Sequence, residues 1–95
     1  MVKHIVIWKL KEEYRDKASL LKQELEALNG QIPELIKLEA GIDFSDTETS
    51  GDLVLYSEFA TKEDLEVYQK HPKHQAVGVM IRELVCERKM ADYIV

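Results

Sequence analysis

The chain has 95 residues and a mass of 11.0 kDa, enough for one domain, 1–95, and no more. Apolar residues supply 45% and charged residues 33%, a soluble globular balance that excludes the disordered and membrane-spanning classes. Thirteen basic residues against eighteen acidic ones leave a net charge of −5, which argues against nucleic-acid and anionic-membrane partners, and the lone Cys86 excludes an internal disulfide framework.

Val2 to Leu10 is predicted to form a strand. Val2, His4, Val6, Trp8 and Leu10 fall on one face by the two-residue period, with Ile5 and Ile7 on the other. Lys9 and Lys11 cut the apolar run too short for a signal-peptide core, so a reducing, cytoplasmic location is expected. Lys11 to Asn29 is predicted to be one amphipathic helix, with Tyr14, Ala18, Leu21, Leu25 and Leu28 as its apolar stripe. Gly30, free to take a positive φ, and Pro33 end it.

Leu35 to Phe44 is predicted to form a second strand, with Ile36, Leu38, Ala40, Ile42 and Phe44 on one face. A polar turn, Ser45 to Gly51, leads to a third strand over Asp52 to Phe59. There Leu53, Leu55 and Phe59 oppose Val54 and Tyr56. Thr61, with Asp64 three residues later, caps a second helix that Pro72 must interrupt. Helical spacing resumes at Val77, Met80, Ile81 and Leu84, and Cys86 to Ile94 is a last strand.

The order strand–helix–strand–strand–helix–strand is the α+β, ferredoxin-like split βαβ plan (βαββαβ). Both helices then cover one sheet face. The strands carry apolar groups on both faces, so the other face is expected to pack on a second copy, giving a homodimer.

Most of the chemistry lies in Tyr68-Gln69-Lys70-His71-Pro72-Lys73-His74. A neutral imidazole is a competent general base near pH 7, and a phenol can polarise a carbonyl. His71 and His74 as metal ligands lack a third ligand at motif spacing, so no metal is assigned. Structurally, histidines beside a proline break can bond freed carbonyls or complement the helix dipole. These alternatives stay open on spacing alone. His4 is either a satisfied buried histidine or part of a pocket, and Trp8 and Phe59 are core or pocket lining.

Together these segments resemble the stress-responsive α/β-barrel (Dabb) family. The matching residues are Val2-Lys3-His4-Ile5-Val6, Tyr56-Ser57-Glu58-Phe59, Tyr68 followed by His71-Pro72-Lys73-His74, and Asp92-Tyr93. The resemblance implies a dimeric α+β barrel. Most relatives have no established activity, while a plant member, olivetolic acid cyclase, closes a polyketide by aldol condensation. It also implies His74 as catalytic base, Tyr68 as its assistant, and His4 beside the pocket. With Trp8, His71 and Phe59 as further ligand contacts, the expectation is a pocket for a small apolar carbonyl compound. Cyclase, lyase or isomerase chemistry without a cofactor would follow. The alternative is a non-catalytic stress or ligand-binding protein with structural histidines.

Overall fold

Alternation in the first and third strands is realised residue by residue. The computed structural model describes Met1–Val95. Its elements are β1 (Val2–Leu10), a 3₁₀ segment (Glu12–Lys17), α1 (Ala18–Glu26), β2 (Lys37–Ile42), β3 (Leu53–Phe59), α2 (Lys62–Lys70), α3 (Pro72–Leu84) and β4 (Val85–Ile94). The sheet order is β2-β3-β1-β4, and every neighbouring pair is antiparallel. This is the expected ferredoxin-like α+β fold.

Val2, His4, Val6, Trp8 and Leu10 of β1 are each at most 6% exposed beneath the helices. Leu53, Leu55, Ser57 and Phe59 of β3 lie beside them in register, with Val6 opposite Leu55 and Trp8 opposite Leu53. Ala18, Leu21 and Leu25 of α1, Leu65 and Tyr68 of α2, and Val77 and Ile81 of α3 close the same 19-residue core. Each buried large aliphatic or aromatic side chain contributes about 1.5–3 kcal/mol.

Two elements depart from expectation. The helix expected over Lys11–Asn29 is a 3₁₀ segment, then α1, then turns in which Gly30 takes φ +79°. Lys11 supplies no side-chain cap, and Glu12–Lys17 buries no residue, so nothing rewards a full α-helical start. β2 is shorter than expected. Of its supposed buried face only Leu38 and Ala40 are covered, while Ile36 and Ile42 are exposed and Phe44 is 96% exposed. The strand ends run past α1. The interruption expected at Pro72 is complete and divides the second helix into α2 and α3. His71 between them is extended (φ −66°, ψ 135°), as a residue before proline prefers.

The free edge of β2 is blocked by side chains reaching from the α1 segment. Asn29 accepts from the Leu38 amide and donates to its carbonyl (2.9 and 2.8 Å), and Lys22 donates to the Ala40 carbonyl (2.6 Å). These bonds satisfy groups that would otherwise pair with another strand. The sheet face away from the helices carries Ile5, Ile7, Val54 and Tyr56, with no element of this chain over it. No helix is long and apolar enough to cross a membrane.

Candidate functional site

Three short helices do not cover four strands. The helix-side residues of β4 (Arg88, Met90, Asp92 and Ile94) stay exposed. A cavity of about 320 Å³ opens between α3 and the β1–β4 half of the sheet. Val6, Trp8 and Leu55 form its floor, with Arg88 at the β4 side. His74, Val77, Gly78, Ile81 and Arg82 of α3 form its roof, and His4 closes one end.

His4 is placed by strand alternation and held by strand register. It lies directly opposite Asp92, and Nδ1 meets Asp92 Oδ1 at 2.5 Å. An ionised carboxylate can only accept, so Nδ1 carries the proton and no protein group bonds Nε2. Asp92 is one-third exposed on its side chain and also borders a recess of about 440 Å³ beside Leu65, Gln69 and Ile94. It therefore links the buried His4 to solvent.

His74 is placed by the helix break. Pro72 has no amide proton, and the Lys73 amide donates to His71 Nδ1 (3.1 Å) instead of to the carbonyl one turn back. The Gln69 carbonyl is thus left without its helical donor, and His74 Nδ1–H fills the gap at 3.1 Å. This bond fixes the tautomer and leaves Nε2 unprotonated. Burial pushes the His74 pKa below the ordinary 6.5. The Gln69 bond opposes the shift, whereas electrostatic interaction with His4 and with the positive charges of Arg88 and Arg82 adds to it. The imidazole is neutral at pH 7, in the form a general base requires.

Tyr68 sits between the two. Its ring centroid is 4.4 Å from that of His74, 4.9 Å from that of Phe59 and 6.4 Å, edge-on, from that of His4. Its hydroxyl is the one buried side-chain polar atom with no hydrogen-bond partner. Burial raises the phenol pKa well above the usual range, so Tyr68 is a neutral, unused donor.

Of the residues expected at the site, His4, Trp8 and His74 wall the cavity. Tyr68 and Phe59 are fully buried behind that wall. His71 is not brought to it; its Nδ1 caps α3. Sequence reasoning gave no site role to Asp92, which it named only in the family match, and missed Arg82 and Arg88. Asp92 becomes legible only once β1 and β4 are paired end to end. Arg82 was readable, since His74, Gly78 and Arg82 share a helix face at four-residue steps. No three His, Cys, Asp or Glu side chains are grouped to hold a metal ion.

The family model for the stress-responsive A/B barrel domain matches residues 2–95. The chain belongs to this family. A dimeric ferredoxin-like protein of unknown function from Bacteroides fragilis is 33% identical, with 99% of this chain and 95% of that one covered and a TM-score of 0.89. A dimeric ferredoxin-like protein of unknown function from Thermobifida fusca is 21% identical, with 99% and 90% covered and a TM-score of 0.88. The hydroxynitrile lyase of Passiflora edulis is 17% identical, with 99% and 92% covered and a TM-score of 0.85. At the last two identities the likeness speaks for the fold alone. No curated protein matches the sequence.

In this stress-responsive barrel domain the unpaired Tyr68 hydroxyl is a cost to folding. Tyr68→Phe keeps the ring contacts and removes the orphan donor. It should raise the unfolding free energy by about 1 kcal/mol in urea titrations. A loss of stability would mean that the hydroxyl has a structural partner.

Proposed function

We propose that the cavity binds a small, mostly apolar carbonyl compound and that His74 removes a proton from the carbon next to its carbonyl. The observation that carries this reading is the group of unused polar valences at one end of an apolar cavity. His74 Nε2 is bare and His4 Nε2 is free at the cavity wall, and the Tyr68 hydroxyl, buried behind that wall, lacks a partner.

In the proposed step His74 Nε2 takes the C–H proton. The C–H electron pair moves into the carbon–carbon bond, and the carbonyl π pair moves onto oxygen as an enolate. The neutral Tyr68 O–H is the donor proposed for that oxygen, and a neutral phenol is the right form for it; since it lies behind the cavity wall, the ligand has to open that wall to reach it. His4, oriented by Asp92, is the auxiliary polar group. The enolate carbon then attacks a second carbonyl, regains a proton at another position, or expels a leaving group. The His74 imidazolium returns its proton in each case. Cyclase, isomerase and lyase outcomes share this first step and need no cofactor.

A non-catalytic ligand-binding role is the second reading. It is favoured by His71, whose Nδ1 only caps α3, and by the structural bond that His74 Nδ1 makes to Gln69. Proton exchange separates the two. The wild-type protein should accelerate α-hydrogen exchange of 1-phenyl-2-propanone in deuterated buffer, followed by proton NMR. His74→Ala should lower the protein-catalysed rate about 10²- to 10⁴-fold. Equal rates with both proteins would overturn the catalytic assignment.

The bare sheet face supports a homodimer with the two faces packed together, as does the dimeric description of the Bacteroides fragilis and Thermobifida fusca relatives. Light scattering should give a mass twice 11.0 kDa. A concentration-independent single-chain mass would contradict this assembly.

A further inference from the structure

Arg82 of α3 and Arg88 of β4 both line the cavity, Arg82 two helical turns beyond His74 and Arg88 four residues along β4 from the Asp92 that pairs with His4. Neither takes part in any of the protein's ion pairs, which use His4, Arg15 and Lys22. No Asp or Glu lines the cavity, although the chain as a whole carries a net charge of −5. The one wall that gathers unpaired guanidinium groups is therefore the wall of the candidate site.

Arg82 is also directed inward along the helix. A Cβ on Gly78 would lie 3.3 Å from Arg82 Nη1, so the guanidinium folds back over the position where a side chain is missing. Gly78 stands one turn from His74, roughly 5–6 Å along the helix axis. The charges of both arginines reach His74, where they help to keep the imidazole neutral. Two unpaired guanidiniums lining one cavity repel each other, and an anion placed between them relieves that repulsion. Their planar forks suit bidentate binding of a carboxylate. The remaining wall, including Val6, Trp8, Val77 and Ile81, suits an apolar body.

We propose that the ligand of this cavity is an oxo-acid: Arg82 and Arg88 hold its carboxylate, and the carbonyl end lies at His74. The proposal rests on the reading of the His74 end as the place where the carbonyl binds. The one-turn spacing between Gly78 and His74 fits a carboxylate separated from the carbonyl by very few bonds, as in 2-oxo and 3-oxo acids.

Trp8 is the only tryptophan and forms part of the cavity floor, so its fluorescence reports occupancy directly. The probes are 2-oxo-4-phenylbutanoate, its methyl ester, and the neutral ketone 1-phenyl-2-propanone. The acid should bind about tenfold more tightly than the ester. Arg82→Gln with Arg88→Gln should remove that preference, bringing acid and ester affinities measured with the same variant together. Both arginines are exposed and unpaired, so the double variant should keep the wild-type melting temperature. Arg82→Lys with Arg88→Lys keeps the charge without the fork and should fall between the two. Equal binding of acid and ester, or an undiminished acid preference in the glutamine variant, would overturn the anion site. Binding of the ketone without the acid or its ester would likewise overturn it while leaving the cavity reading standing. A Trp8 signal that responds to none of the three would overturn both.

Discussion

A missing amide proton organises the site. Pro72 cannot continue the ladder of α2, and the residue before it, His71, must leave the helical conformation. That one break starts a new helix, turns α3 across the sheet, and gives His71 Nδ1 to the cap. It also frees the Gln69 carbonyl for His74 Nδ1. The two histidines of the His-Pro-Lys-His run thereby take opposite tautomers. His71 accepts at Nδ1, whereas His74 donates at Nδ1 and presents a bare Nε2. A continuous helix would put the Lys73 amide on Gln69 and leave His74 without its orienting bond.

The cavity itself follows from the shortness of the chain. The helices and the α1–β2 connection pack over β2, β3 and the inner side of β1, and little is left to cover β4. The uncovered margin could have been a defect in a small core. Here it is where the polar groups converge: His4 with Asp92 from the strands, His74 from α3, and the guanidiniums lining the cavity. The same economy leaves the opposite sheet face bare. Core burial and site exposure are thus two results of one shortage of chain.

Much of this was legible in the sequence. Two-residue alternation located β1 and β3 and their buried faces, because both strands are central and read against a continuous helix layer. Thr61 marked the start of α2, and Pro72 marked its end. The edge strand misled, because alternation in β2 continues through Ile42 and Phe44 although α1 reaches only Leu38 and Ala40. The 3₁₀ start was hidden because Tyr14 keeps helical spacing while no neighbour buries Glu12–Lys17. His74, Tyr68 and His4 stood out by type and by family resemblance. Asp92 entered only as part of the Asp92-Tyr93 match, since its role at the site comes from pairing with a residue 88 positions away. The tightly packed Phe59–Tyr68–His74 stack also could not be inferred from spacing, which placed Phe59 in the pocket wall instead of behind Tyr68.

The most direct measurement is a nitrogen-15 NMR titration of the His74 imidazole. The tautomer and charge of this ring decide whether the helix break has produced a base or only a cap. The expected result is a neutral ring at pH 7 with the proton on Nδ1, Nε2 unprotonated, and a titration midpoint below the ordinary 6.5. A ring protonated on both nitrogens at pH 7, or one carrying its proton on Nε2, would contradict it.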